Sequence, residues 1–74
     1  MPSHNELVQK AVRHLGPSSD YRIYHYIRGL GVKASPSSVR TRRNELVRAG
    51  KIKASGRTEL TPAGRRARLW QVAR

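Results

Sequence analysis

The chain has 74 residues, sixteen Lys and Arg against four Asp and Glu, a net charge of +12 and no cysteine. That length holds one domain at most and no deep enzyme cleft, and the missing cysteines exclude disulfides and cysteine-based zinc sites. A charge of this size implies a polyanionic partner.

Ser3-His4-Asn5-Glu6 has the S-x-x-E spacing of a capping box and predicts a first helix over about 4–15. Leu7, Val8, Ala11, Val12 and Leu15 then form one apolar stripe, which Gly16-Pro17 ends. Ser18-Ser19-Asp20 is the next N-cap cluster, with Asp20 placed to favour the helix dipole. A second helix is expected over about 20–30, with Ile23, Ile27 and Leu30 inside and Gly29 and Gly31 closing it. Tyr21, Tyr24 and Tyr26 accompany it on several sides. They read better as half-buried residues with the hydroxyl at the rim than as platforms for stacked bases.

Ser35 is a preferred N-cap residue, Pro36 suits the first helical position, and Gly50 supplies a stop, so a third helix spans about 36–49. Val39, Leu46 and Val47 share its narrow apolar face, with Arg43 at the edge. The far side holds Ser37, Arg40, Thr41, Asn44 and Arg48. These are the side-chain types that read base edges: Arg on guanine, Asn on adenine, Ser or Thr on either. A helix, a glycine-containing turn and a second helix with a polar outer face is a helix-turn-helix arrangement.

After Gly50, Lys51-Ile52-Lys53-Ala54-Ser55 alternates polar and apolar residues, as a short strand does. Ser55-Gly56-Arg57 reads as the start of a turn, and Thr61-Pro62-Ala63-Gly64 has Pro and Gly at type I turn positions. The chain returns as a strand from Arg66 to Val72. The expected hairpin covers about 51–72, with a long tip carrying Arg57, Arg65 and Arg66 and with Arg68 just inside. The charge follows this division: residues 1–39 carry a net +3 and residues 40–74 a net +9. Such asymmetry points to one face presented to nucleic acid. A membrane surface would require a large exposed apolar face that the basic half cannot supply beside a core.

Three helices followed by a basic two-stranded hairpin resemble the winged helix-turn-helix family. Ser38-Val39-Arg40-Thr41-Arg42-Arg43-Asn44-Glu45-Leu46-Val47-Arg48-Ala49-Gly50-Lys51-Ile52 looks like the recognition-helix signature of small bacterial and phage members. Ser55-Gly56-Arg57 through Gly64-Arg65-Arg66-Ala67-Arg68-Leu69-Trp70 resembles their wing. The order and spacing of these motifs extend the likeness over roughly residues 5–72. The fold implied is mainly α with a small β-hairpin (α+β), a three-helix winged helix-turn-helix occupying residues 1–74.

The resemblance implies that Ser37, Ser38, Arg40, Thr41 and Asn44 face a DNA major groove. Arg57, Arg65, Arg66 and Arg68 would be wing residues on the backbone or minor groove. Arg48 belongs to the same polar helix face, and Arg42, on the opposite flank, is open between a DNA contact and a structural role. Arg43 stands where the family usually has an apolar residue. Its stem can lie along the core, with its head paired to Asp20 or Glu45. Trp70 is expected to anchor the core rather than to stack on a base.

These features imply a double-stranded DNA-binding protein, a small bacterial or phage transcriptional regulator without a cofactor, acting as a monomer or weak dimer. Two other readings stay open: a winged-helix module for a host protein partner, and binding of nucleic acid regardless of sequence. Catalysis is not expected, because the acids are scattered and His4, His14 and His25 form no ligand-like cluster. No apolar run approaches a membrane span or a signal peptide, which places the expected protein in the cytoplasm with its nucleic acid and away from membranes.

Overall fold

The computed structural model describes residues 4–73. They form α1 (His4–Leu15), α2 (Asp20–Gly29), α3 (Pro36–Arg48), β1 (Ile52–Leu60) and β2 (Arg66–Val72). The two strands pair antiparallel in one sheet. This is the expected order of three helices and a hairpin, and each expected helix lies within a residue or so of its place. Ser3, the expected first N-cap, lies outside the described residues.

The helices are apolar on the faces that meet. Leu7, Val8, Ala11 and Val12 of α1 pack with Ile23 and Ile27 of α2 and with Val39 and Leu46 of α3. Ile52 and Trp70 close this core from the sheet side. Burying each of the larger side chains contributes about 1.5–3 kcal/mol, so the contact of α1 and α2 with α3 is what fixes the angle of the third helix. Two expected core positions are corrected. Leu15 is 41% exposed because the chain leaves α1 at Gly16 to reach the sheet, and Leu30 is 47% exposed because it is the C-cap of α2, past the last inward turn.

The turn into α2 divides the three expected capping residues between two tasks. Ser19 is the N-cap, its hydroxyl oxygen accepting from the Arg22 N–H at 3.4 Å. Ser18 instead pairs with β2: its N–H donates to the Trp70 carbonyl at 2.9 Å and its carbonyl accepts from the Trp70 N–H at 2.8 Å. Its side chain also donates to the Gly16 carbonyl at 2.6 Å, which satisfies a hydroxyl that is fully buried. Ser18 thus joins the helical layer to the sheet through its backbone.

At α3 the Ser35 hydroxyl accepts from the Ser38 N–H and the Ser38 hydroxyl accepts from the Ser35 N–H, each at 3.1 Å. This reciprocal cap, with Pro36 at the helix start, sets where α3 begins. At the other end Gly50 takes φ +75, a left-handed turn that L side chains avoid. The Lys51 N–H then reaches back to the Leu46 carbonyl at 2.9 Å, aiming the chain into β1.

The hairpin differs from expectation in one respect. Ser55-Gly56-Arg57 does not begin the tip; it lies inside β1, which continues to Leu60. The register runs Ala54 opposite Trp70 and then Thr58 opposite Arg68, so β1 carries extra residues there, a bulge. Gly56 takes φ +84 and the Ser55 hydroxyl accepts from the Arg57 N–H at 3.2 Å, which lets the ladder resume. The tip proper is short. Gly64 N–H donates to the Thr61 carbonyl at 2.8 Å, closing the expected Thr61-Pro62-Ala63-Gly64 turn.

Candidate nucleic-acid interface

The outer face of α3 is built by its own periodicity. With Val39, Arg43 and Leu46 turned inward, Ser37, Arg40, Thr41, Asn44 and Arg48 are exposed. Thr41 donates its hydroxyl to the Ser37 carbonyl at 3.0 Å, so its oxygen can still accept a hydrogen bond. Ser38 is different. It is half-buried, and its hydroxyl both accepts from the Ser35 N–H and donates to the Ser35 carbonyl at 3.0 Å. Its single proton is committed to the cap.

Arg42 lies on the flank nearer α1, beside His4 and Val8, and ion-pairs with Glu45 at 2.7 Å. Arg43 resolves the choice left by the sequence. Its Nε donates to Asp20 Oδ1 and one terminal nitrogen donates to Asp20 Oδ2, both at 2.9 Å. The guanidinium carbon sits 4.1 Å from the centre of the Trp70 ring, and the residue is only 9% exposed. Its partner is therefore Asp20 and not Glu45. A planar, bidentate cation stacked on an aromatic face can occupy an apolar position because every demand of its charge is met. Trp70 is the core anchor expected, and the guanidinium carbon of Arg68 lies 5.8 Å from the centre of the same ring.

Between α3 and the hairpin runs a cleft of about 630 Å³. Arg40 enters it from α3, and Arg65, Arg66 and Arg68 enter it from the hairpin. Its floor is made by Trp70 and Arg43, and its far wall by Tyr21 and Tyr24 of α2. The fold thus gathers four of the expected site arginines around one trough. Arg57 is exposed on the bulge and does not line it, which corrects its expected place on the tip. Arg66 is the first residue of β2, where the returning strand was expected to begin, and donates to the Thr58 hydroxyl across the ladder at 3.3 Å. Asn44 and Arg48 continue the polar face of α3 beyond the cleft.

Two features of this region were not anticipated. Tyr21 is 44% exposed on the cleft wall, unlike the half-buried Tyr24 and Tyr26. In addition, Arg22 of α2 and Glu59 of β1 form an ion pair at 3.0 Å, which fastens the hairpin to the helical layer. The ion pair has no local signal, since its partners meet only through the tertiary fold.

Among the described residues, no helix is long and apolar enough to cross a membrane. His25 packs between Tyr21 and Tyr24, with ring centres 4.3 and 5.3 Å away, and His14 lies 5.4 Å from Tyr26. No group of three or more His, Cys, Asp or Glu among the described residues could hold a metal ion.

No protein-family model matches the chain, and no curated protein matches it in sequence. Among solved structures it is similar to the Vibrio cholerae ferric uptake regulator, with a TM-score of 0.74 at 12% identity. The fold is a winged helix. The likeness covers 100% of this chain and 53% of the regulator's, so the chain spans about half of that protein's length. The regulator's structure is described in terms of a rearrangement of its DNA-binding domains. At this identity the shared feature is the fold.

Proposed function

We propose that this chain is a double-stranded DNA-binding protein and acts as a small bacterial or phage transcriptional regulator, with residues 1–74 working as one winged-helix domain. The observation that carries this reading is the trough shared by Arg40 of α3 and Arg65, Arg66 and Arg68 of the hairpin. A helix that enters a major groove about 12 Å wide brings the strand bordering that groove into the space beside it. Four guanidinium groups around that space suit phosphate oxygens, which Arg meets with a fork of donors.

In this reading Ser37, Arg40, Thr41 and Asn44 contact base edges. Arg48, Arg65, Arg66 and Arg68 hold the phosphate backbone, and Arg57 reaches it from the bulge. Ser38 serves α3 through its cap, and Arg42 is available to DNA only by leaving Glu45. Phosphate contacts supply most of the affinity and the helix face the selectivity. In this reading the chain binds as a monomer, or with weak pairing on DNA. The similarity to a regulator with DNA-binding domains supports the same function class.

Paired substitutions separate the two contributions. Arg40→Ala and Asn44→Ala should each cost about 1–3 kcal/mol on a preferred site and relax its sequence preference. Arg65→Ala with Arg66→Ala should instead weaken binding to every duplex alike. If neither pair changes DNA binding, the polar helix face serves a protein partner and the DNA reading fails.

A further inference from the structure

Arg43 does more than fill an apolar position. Two of its nitrogens are engaged by Asp20, its plane rests on Trp70, and its remaining terminal nitrogen donates to Asn44 Oδ1. Arginine has only donors, so the Asn44 atom turned toward it is the carbonyl oxygen. Asn44 is otherwise exposed on the reading face of α3. Its oxygen is engaged by a buried cation, which leaves its amino group, with two N–H donors, for an outside partner.

We infer that the Asp20–Arg43–Asn44 chain sets the base specificity of Asn44, presenting it as a donor that selects guanine in place of adenine. This rests on the DNA-binding reading above. The usual pairing of asparagine with adenine needs both amide ends, the oxygen accepting from N6–H and the amino group donating to N7. Guanine offers N7 and O6, two acceptors side by side, and suits an amide whose oxygen is turned toward Arg43 and away from the groove. Arg43 is therefore a positioning residue: it touches no base and determines what Asn44 can read.

Sites selected from random duplexes by the full chain, and by its Asn44→Ala variant, locate the base pair that depends on Asn44. At that pair the wild type should prefer guanine over adenine by about 5–100-fold. Asp20→Asn and Arg43→Met, each checked for a native circular dichroism spectrum, should move that preference toward adenine and leave the other positions unchanged. An adenine in the wild-type site, or a preference that both variants preserve, would overturn the inference, as would a motif indifferent to Asn44→Ala. Should one variant fail to fold, the other carries the comparison.

A measurement without DNA separates this inference from the reading beneath it. In the free protein, the Arg43 terminal N–H signals in nitrogen-15 NMR should be shielded from water exchange and shift in Asn44→Ala. Signals unaffected by that substitution would refute the relay even if the protein binds DNA. A shift without any selected motif would leave the relay standing and refute the DNA-binding reading, and with it the assignment to guanine.

Discussion

The guanidinium of Arg43 lies 4.1 Å from the centre of the Trp70 ring, and Asp20 grips the same group through two hydrogen bonds of 2.9 Å. A helix-turn-helix pair is thereby tied to the hairpin through one buried side chain, with α2 supplying the anion, α3 the cation and β2 the ring. Packing, charge and stacking converge on a single residue. Its removal should be felt in all three elements.

Arg43→Ala should lower the unfolding free energy by about 2–4 kcal/mol, because it leaves Asp20 part-buried without its counter-ion and uncovers Trp70. Asp20→Ala should cost less, since its carboxylate is the more exposed partner, with 28% of its side chain accessible against 11% for Arg43. The double variant should lose less than the two single losses combined. Denaturant unfolding followed by the fluorescence of Trp70, the single tryptophan, measures all three. Additive losses would show that the pair is not coupled.

Gly50→Ala tests the turn between α3 and the hairpin. A side chain there would meet nothing within 4 Å, so a clash cannot contribute. The φ of +75 alone should cost about 1–2 kcal/mol, and Gly50→Asn should cost less because asparagine tolerates the left-handed region. Equal stabilities by thermal unfolding would mean that the turn adopts another conformation.

Ser38→Ala distinguishes capping from base contact. Loss of the Ser38 half of the reciprocal cap, with the Ser38 N–H still donating to the Ser35 hydroxyl, should destabilise the fold by about 0.5–1 kcal/mol. Sequence preference on DNA should stay unchanged, because the hydroxyl proton is committed to the Ser35 carbonyl. A shift in the selected motif without a change in melting temperature would assign Ser38 to the bases instead.

The Arg22–Glu59 pair is a fastening of the hairpin rather than a source of stability. Arg22 is 61% exposed at its side chain, and solvent screening holds such a pair to less than about 1 kcal/mol. Glu59→Gln should therefore barely change the unfolding midpoint while amide exchange in β1 and β2 quickens. If the midpoint drops with no change in exchange, the pair belongs to the global fold.

The elements visible in the sequence are those fixed by short-range chemistry. Ser35-Pro36 and Gly50 mark the ends of α3, and the apolar stripe of α1 shows in its spacing. Arg43 stood out as a cation at an apolar position, and both candidate partners could be named although only the fold could choose Asp20. The hairpin was less legible. Gly56 carries the same left-handed freedom in a bulge as in a turn, so its residue type could not say that β1 continues past it. The Ser18–Trp70 pairing, the Arg22–Glu59 bridge and the gathering of Arg40 with Arg65, Arg66 and Arg68 all join distant segments, and no local pattern encodes them.

The most direct test of the central claim is fluorescence-anisotropy binding of the purified protein to random duplex DNA and to duplexes selected by it. It should be run at about 50 and 200 mM salt, where phosphate contacts weigh most. With about 5–7 phosphates held, the log of the binding constant should fall against log salt with a slope of about −5 to −6. A selected site should remain substantially tighter than random DNA at the higher salt. Equal affinities for both duplexes, vanishing together as salt rises, would reduce the interface to a charged surface and contradict a sequence-reading regulator.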